Sequence, residues 1–379
     1  TTVASTKTLT AAASVVNGKT IDGSGNVAVT ALDATAAADL STITNSGTRT
    51  AAVSDNVTFT GNLGTFTTTV ASTKTLTAAA SVVNGKTIDG SGNVAVTALD
   101  ATAAADLSTI TNSGTRTAAV SDNVTFTGNL GTFTTTVATT KTMTAAANVV
   151  AGKTIDKAGT GALAVQIATA DAAVDLTTIA GSALSTITVT DNVTFTGTLD
   201  DAVKTSVNGT KTLTIAAAKA NGKTIDGAGN VAVTALDATA AADLSTITNS
   251  GTRTAAVSDN VTFTGNLGTF TTTVASTKTL TAAASVVNGK TIDGSGNVAV
   301  TALDATAAAD LSTITNSGTR TAAVSDNVTF TGNLGTFTTT VASTKTLTAA
   351  ASVVNGKTID GSGNVAVTAL DATAAADLS

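Results

Sequence analysis

The chain has 379 residues and a net charge of −6, and it contains no Pro, Cys, His, Trp, Tyr or Glu. Without Cys and His it cannot form disulfides and lacks the usual transition-metal ligands. The acidic balance argues against nucleic-acid binding, which needs a basic face to neutralise phosphates. No apolar run of roughly 18 residues is present, so the sequence predicts no membrane span.

A sequence of 67 residues repeats along the chain. The phrase headed by Val3 returns at Val70 and Val137. The first, second and fifth copies are identical, whereas the third is lengthened to 70 residues and is rewritten between Gly161 and Thr190. The repeats are residues 1–67, 68–134, 135–204, 205–271, 272–338 and 339–379. Because the sixth copy stops partway, we expect the chain to be part of a longer protein.

In chain order, the first repeat predicts seven strands separated by clusters of turn residues. They cover TKTLTAAASVV, KTID, VAVTAL, LSTIT, TRTAAV, VTFT and TFTTTV, at residues 6–16, 19–22, 27–32, 40–44, 48–53, 57–60 and 65–70. Apolar side chains mostly alternate with Thr or small residues, which predicts one buried and one solvent-facing side for each strand. The predicted inward residues are Leu9, Ile21, Val27, Val29, Ile43, Val57, Phe59 and Phe66.

Glycine and asparagine mark the turns between these strands. Asn17-Gly18 and Asn45-Ser46-Gly47 predict backbone positions with positive φ, and residues 22–26 (DGSGN) predict a tight polar corner. Only residues 31–40 (ALDATAAADL) predict a brief helical turn, with Asp33 as its N-cap. Strand formers therefore dominate, and the complete absence of proline suits uninterrupted strand pairing.

Two all-β architectures fit this pattern. In a β-solenoid, or β-helix, coils of about 22 residues stack at roughly 4.8 Å, so that each repeat forms about three coils of a rod. In the alternative, each repeat folds as its own small β-sandwich. A separate sandwich of this size buries little core, and a regular repeat has only two phenylalanines to fill it. The lack of a linker between repeats also favours the solenoid.

Aspartates in the DGSGN corners are candidate calcium ligands. The corner resembles the opening of an EF-hand loop, in which alternate side chains offer oxygen to calcium. It occurs at four places, Asp22, Asp89, Asp293 and Asp360. The bidentate Glu that closes such a loop is missing, so a plain turn is the alternative. If calcium binds, we expect a surface ion shared between aspartates of adjacent coils or chains, with Asp39 and Asp55 as further contributors.

Two other motifs are interpreted as parts of strands. Thr-x-Thr phrases such as those at Thr8, Thr42 and Thr58 resemble the threonine ranks of ice-binding solenoids, but their intervals are irregular, so we expect solvent-facing strand residues. Asn-Val-Thr phrases match the N-glycosylation sequon, a pattern that arises often by chance in Thr-rich sequence. They begin at Asn56, Asn123, Asn192, Asn260 and Asn327, and Asn208-Gly209-Thr210 is a further match.

The residues offer no catalytic arrangement, and we expect the chain not to be an enzyme. No His is present to activate Ser or Thr, and a carboxylate pair needs a cleft that near-identical coils do not provide. Only the divergent third repeat departs enough from the others to host a unique cleft. Repetition at this fidelity is typical of a spacer, fibre or lattice, in which length and valency matter.

The phrases TLTAAASVVNGKTIDGSGNVAVTAL and NVTFTGNLGTF resemble those of bacterial extracellular β-strand-repeat proteins, the giant adhesins and surface-layer-like β-solenoids. The resemblance covers the whole chain and is one of composition and period. It implies secretion, calcium-assisted assembly and a role in adhesion or in a sheath or lattice. The VNGK phrase at residues 16–19 is also similar to repeats of phage tail-fibre shafts, which are intertwined trimers.

We therefore expect a secreted structural protein outside the cell or at its surface. It would associate with identical chains into a filament, sheath or surface-layer scaffold, without nucleic acid and with calcium as the only candidate cofactor. The alternatives are the stalk of a large bacterial adhesin and a phage tail-fibre shaft.

Overall fold

The computed structural model describes residues 1–370, 375, 377 and 378. Short strands of two to six residues form parallel sheets, and the few helices are three or four residues long, which confirms the predicted all-β class. The chain divides into two compact units, Thr1–Ile187 and Thr188–Ser379. Strand Leu184–Val189 contains this division.

Sixteen strands lie wholly within the first unit. They are Thr2–Val3, Thr8–Ala12, Asp22–Gly23, Asn26–Thr30, Arg49–Val53, Val57–Phe59, Thr67–Val70, Thr75–Ala79, Ile88–Gly90, Asn93–Thr97, Arg116–Val120, Val124–Phe126, Thr134–Val137, Thr142–Ala146, Thr154–Lys157 and Ala162–Ile167. The α-helices of this unit are Ala13–Val16, Ala80–Val83 and Ala147–Val150, and its 3-10 helices are Leu32–Ala34, Leu99–Thr102, Thr169–Asp171 and Leu176–Thr178.

The second unit repeats the same elements. Its strands are Val193–Phe195, Thr205–Val207, Thr212–Ala216, Ile225–Gly227, Asn230–Thr234, Arg253–Val257, Val261–Phe263, Thr271–Val274, Thr279–Ala283, Ile292–Gly294, Asn297–Thr301, Arg320–Val324, Val328–Phe330, Thr338–Val341, Thr346–Ala350, Ile359–Gly361 and Asn364–Thr368. Its helices are Ala217–Ala220, Leu236–Ala238, Ala284–Val287, Leu303–Ala305 and Ala351–Val354. In the described part of the chain, no helix has the length and apolar character needed to cross a bilayer.

Strands pair in parallel with partners roughly twenty residues further along the chain. Thr8 pairs with Asn26, and Val27 pairs with Arg49. The next strand follows the same rule, since Ala51 pairs with Thr68. Because parallel strands cannot be joined by a tight hairpin, the chain crosses back between each pair of partners. We use the word segment below for the stretch of chain that separates two such partners.

Apart from the two-stranded sheet of Thr2–Val3 and Asp22–Gly23, each sheet of the described residues draws its strands from more than one repeat. In the first unit, the sheet that starts at Val57–Phe59 continues through Thr75–Ala79 and three further strands to Thr154–Lys157, across the first three repeats. In the second unit, the sheet that starts at Val193–Phe195 ends at Ile292–Gly294, across the third to fifth repeats. A sandwich confined to one repeat would pair its strands internally. The alternative of tandem β-sandwiches is therefore wrong, because the strand edges of one repeat are paired by the next.

The predicted alternation of inward and outward side chains is confirmed. Seven of the eight predicted inward residues of the first repeat are buried, namely Ile21, Val27, Val29, Ile43, Val57, Phe59 and Phe66. Leu9 is half-buried because its strand has a neighbour on one side only. Leu76, at the same position of the second repeat, has neighbours on both sides and is fully buried.

Inward side chains of paired strands form columns, and in the column that begins at Phe126 large and small residues alternate. Phe126 pairs with Ala145, which in turn pairs with Val165, and these side chains are 0%, 0% and 1% exposed. A small residue between two large ones leaves room for both, as close packing requires. Burial of a Val or Phe side chain stabilises the fold by about 1.5–3 kcal/mol, so the core rests on many such columns.

Three of the predicted strands are wrong in detail, and the one at residues 19–22 overlaps the two-residue strand Asp22–Gly23 only at Asp22. The strand predicted for residues 6–16 ends at Ala12, and residues Ala13–Val16 form an α-helical turn closed by a bond from Asn17 N–H to the Ala13 carbonyl. Ala13 and Val16 are both buried, as helical spacing allows, so burial overrides the strand pattern here. The LSTIT stretch contributes only a single bridge, between Ile21 and Ile43.

The turns follow the predictions at some positions only. Gly18 has a φ of 65°, as predicted, but Gly47 does not have a positive φ. Glycine is required at 47 because a Cβ there would lie 2.3 Å from the carbonyl oxygen of Gly25. The predicted helical turn is the 3-10 helix Leu32–Ala34, but Asp33 lies inside it and is not its N-cap, which is Ala31.

Candidate functional site

The predicted calcium aspartates lie singly at their corners. Asp89 accepts a hydrogen bond of 2.7 Å from Oγ1 of Thr69, the residue with which it pairs on the neighbouring strand. Asp293 and Asp360 accept equivalent bonds, and Asp22 is exposed. The register thus places a threonine, not a second aspartate, beside each carboxylate. No three carboxylates of the described residues come together as a metal site would need. Calcium binding at these four positions stays a prediction.

Asp55, a further predicted calcium contributor, forms an ion pair with the following segment. Its carboxylate lies 2.9 Å from Nζ of Lys74. The hydrogen bond from Lys74, together with one from the N–H of Asn56, holds the pKa of Asp55 below its ordinary value. The same pair recurs as Asp122–Lys141, Asp259–Lys278 and Asp326–Lys345. Because these aspartates are well exposed, each pair contributes little to the free energy of unfolding. We interpret the pairs as fixing the register between neighbouring segments.

Asp39, the other predicted contributor, closes a turn and joins it to the preceding segment. The Oγ–H and N–H groups of Ser41 donate to its carboxylate at 2.6 and 3.0 Å, and these bonds lower the pKa of Asp39. The N–H of Asp39 donates to Oδ1 of Asn17 at 2.8 Å. Both bonds reach Oδ1, so one oxygen of this carboxylate is engaged within the chain, as it is at the equivalent residues Asp106, Asp243 and Asp310.

The aspartates of the 3-10 helices join segments in a similar way. Asp100 accepts hydrogen bonds from N–H and Oγ–H of Ser121, at 2.5 and 2.9 Å, across 21 residues of sequence. Burial alone would raise the pKa of Asp100, but the two bonds from Ser121 outweigh it, and the pKa lies below its ordinary value. Asp237 and Asp304 have the same arrangement and the same direction of pKa shift.

The asparagines of the sequons hold the backbone of the next segment. Oδ1 of Asn123 accepts a hydrogen bond of 2.8 Å from the N–H of Thr142, and strand Val124–Phe126 starts directly after Asn123. Asn56, Asn260 and Asn327 make the same bond. The prediction that this motif starts a strand is confirmed, and its polar atom has a structural role.

The Thr-x-Thr phrases face outward, as predicted for strand residues. Thr58 and Thr117 are exposed, and they belong to one column of paired residues with Thr77 and Ala95. Alanine interrupts this column, so the threonines do not form an unbroken rank.

Sequence reasoning missed two groups of polar residues. Asn112 is completely buried, and its Nδ2 donates to the carbonyl of Gly92 at 2.7 Å. Four arginines and four lysines are held by backbone carbonyls instead of by carboxylates, and they are described below. The period of the repeat could have marked these residues as constant, but spacing alone does not reveal which polar side chains become buried.

Taken together, these contacts form ladders along the sheets, in which each segment binds the next through carboxylates, amides and hydroxyls. The arrangement can hold register over many segments, since every link has the same partner type in each regular repeat. Compared with known protein families, curated proteins and solved structures, the chain matches none of them.

Proposed function

We propose that this chain is a secreted structural protein whose repeats wind each compact unit as a β-solenoid, and that it builds a filament, sheath or surface-layer scaffold outside the cell. The observation that supports this best is the pairing of strands across repeat boundaries. Ala51 of the first repeat pairs with Thr68 of the second, without a linker between the repeats. A chain of this kind gains length with each added repeat and needs no other partner to continue the stack.

The ladders support the same proposal. Each regular repeat contributes one Lys–Asp pair and one Asn-to-backbone bond to the next segment, for example Asp122–Lys141 and Asn123–Thr142. Such links resist sliding of one segment against another, which a load-bearing scaffold requires. The acidic, cysteine-free composition suits a protein that folds without disulfides and stays soluble before assembly.

A scaffold is favoured over a tail-fibre shaft because strands pair here within one chain. An intertwined trimer would instead pair strands between chains. An adhesin stalk would use the same repeats and differs only in carrying a binding tip, so it stays the alternative within the proposal.

The proposal is tested by following assembly of the purified chain as its concentration rises. We expect filaments or sheets in negative-stain electron microscopy. Diffraction from oriented samples should show a reflection at about 4.8 Å, the spacing between paired strands. Sedimentation velocity would show the matching rise in mass. A chain that sediments as a monomer at every concentration, with and without calcium, would overturn the assembly part of the proposal.

Calcium is tested separately by calorimetric titration. We expect weak binding with millimolar affinity if the corners at Asp89 and Asp293 act as surface sites. The matched control replaces Asp22, Asp89, Asp293 and Asp360 by Asn. Equal heats from the native chain and the variant would remove calcium from the proposal.

A further inference from the structure

Two groups of cations recur from repeat to repeat in this chain. The lysines equivalent to Lys74 form ion pairs with aspartates. A second group, made of four arginines and four lysines, has no carboxylate oxygen within 4.0 Å among the described residues. Its members are Arg49, Arg116, Arg253 and Arg320, and Lys86, Lys153, Lys290 and Lys357. Within the described residues, these half-buried charges therefore lack a carboxylate counterion.

Backbone carbonyls hold the second group in place. Nη1 of Arg320 donates to the carbonyl of Asn316 at 2.5 Å, and Nζ of Lys357 donates to the carbonyl of Gly335 at 2.6 Å. Asn316 is itself completely buried and is fixed by a bond of 2.7 Å from its Nδ2 to the carbonyl of Gly296. A guanidinium has five N–H donors and an ammonium has three, so both cations keep donors for a ligand.

Arg320 and Lys357 line the same surface cleft, which has a volume of about 480 Å³. Ser312, Thr315, Asn333 and Thr336 also line it, and none of the described residues that line it carries a carboxylate. Asp310 lies two residues before Ser312, but its Oδ1 already accepts bonds from the N–H and Oγ–H of Ser312. The cleft thus presents two positive charges and three hydroxyls.

We infer that this cleft binds a carboxylate-bearing sugar of an acidic polysaccharide. The planar guanidinium matches a carboxylate with two parallel hydrogen bonds, and the partly buried position strengthens the attraction relative to bulk water. The hydroxyls of Thr315 and Thr336 offer donors and acceptors for sugar hydroxyls, whereas that of Ser312, which donates to Asp310, can only accept. A nucleic acid fits less well, because the chain has neither Trp nor Tyr to stack on bases and all nine phenylalanines are buried.

The sequence repeats the two cations at four places, and Lys86 and Lys290 line clefts of their own with neighbouring glycine, threonine and phenylalanine residues. The 67-residue period relates Arg320 and Lys357 to Arg49 with Lys86, to Arg116 with Lys153, and to Arg253 with Lys290. A polymer with regularly repeated acidic sugars can engage several of these sites together, so weak single contacts add up. This multivalency favours a polysaccharide over a free sugar acid.

The divergent third repeat lacks the arginine and gives the lysine that follows it, in the fourth repeat, a carboxylate partner. The position of the arginine is occupied by Ser185, and Lys223, at the position of the lysine, forms an ion pair with Asp201. The chain therefore neutralises or removes these charges where the regular pattern is broken. This contrast supports a role for the unpaired cations beyond holding a turn.

The test measures binding of the full chain to polygalacturonate, with the methyl-esterified polymer as the neutral match of the same backbone. We expect binding to the acid form only, and at least about tenfold weaker binding when Arg49, Arg116, Arg253 and Arg320 are replaced by Gln. The variant with Lys86, Lys153, Lys290 and Lys357 replaced by Gln should lose affinity similarly, which guards against misfolding in the arginine variant. Circular dichroism checks the fold of each variant.

The matched control removes the same number of charges from the paired lysines, by replacing Lys74, Lys141, Lys278 and Lys345 with Gln. It should bind polygalacturonate within about twofold of the native chain. Equal losses in the control and in the arginine variant would overturn the inference, because binding would then follow net charge. Binding of the esterified polymer, or tighter binding of single-stranded DNA or sulfated dextran, would also overturn it, whereas weak binding of free galacturonate at the same residues would support it.

Discussion

Individual aspartates link the segments of this chain through bonds that depend on their charge. Asp100 accepts two hydrogen bonds from Ser121, and Asp106 accepts two from Ser108. Both carboxylates have a pKa below the ordinary value of 3.8. A lowered pKa in the folded state means that the ionised form stabilises the fold.

We therefore expect acid to weaken the fold. The stabilisation is fully present above the ordinary pKa of 3.8 and is lost as the pH falls through the lower pKa values of the folded chain. The melting temperature measured by circular dichroism should stay level between about pH 7 and 5 and fall below about pH 4. The variant with Asp100, Asp237 and Asp304 replaced by Asn should show a shallower fall. A melting temperature that stays constant down to about pH 2 would contradict this prediction.

Substitutions at two glycines distinguish the cost of a steric clash from the cost of a strained backbone conformation. A Cβ at Gly114 would lie 2.3 Å from the carbonyl oxygen of Gly92, whereas Gly85 has a φ of +65° and open space around it. We expect Gly114→Ala to cost about 3 kcal/mol or more by forcing segments apart, and Gly85→Ala to cost about 1–2 kcal/mol. Urea unfolding of both variants measures the difference. Equal costs would show that the close approach at Gly114 is not maintained in solution.

At the scale of elements, the short strands depend on inward columns that cross the repeats. Phe126 is completely buried and pairs with Ala145, while its neighbour Thr125 on the same strand is exposed. The strand is only three residues long, so its backbone bonds alone cannot hold it.

We expect Phe126→Ala to destabilise the fold by about 3–5 kcal/mol, because it leaves a cavity above Ala145. The control, Thr125→Ala, should change the free energy of unfolding by less than about 0.5 kcal/mol. Both values are measured by urea unfolding. If the two substitutions cost the same, the inward column does not carry the stability of this strand.

Strands and turns were predicted correctly where they depend only on residues that are close together in the sequence. The strands at Val27 and Val57 and the turn at Gly18 follow from alternation and from glycine chemistry. The helix Ala13–Val16 was not predicted, because its alanines and valines suit strand and helix alike. Its burial, set by neighbouring segments, decided between the two.

At the scale of the whole molecule, each segment binds the segments next to it in sequence. A regular repeat can thus be removed if the junction keeps the register. Repeat 5, residues 272–338, lies between repeats whose adjoining sequences match its own. Deletions within the compact unit that contains this repeat test whether the register must be kept.

We expect deletion of residues 272–338 to leave the circular dichroism spectrum unchanged and the melting temperature within a few degrees of that of the full chain. Deletion of residues 272–305 joins segments out of phase, exposes inward side chains, and should lower the melting temperature clearly. If both deletions behave alike, repeat register is not what stabilises the unit.

The sequence by itself determined the all-β class, the repeat and the side of each strand that faces inward, because β-branched residues, turn residues and a period of two act over a few neighbours. Only the tertiary structure decided which strands pair, since parallel partners lie roughly twenty residues apart and their register depends on the folded crossings. It also decided the surroundings of Arg320 and Lys357. Their positions in the sequence show two scattered cations, and only folding places both at one cleft without a carboxylate.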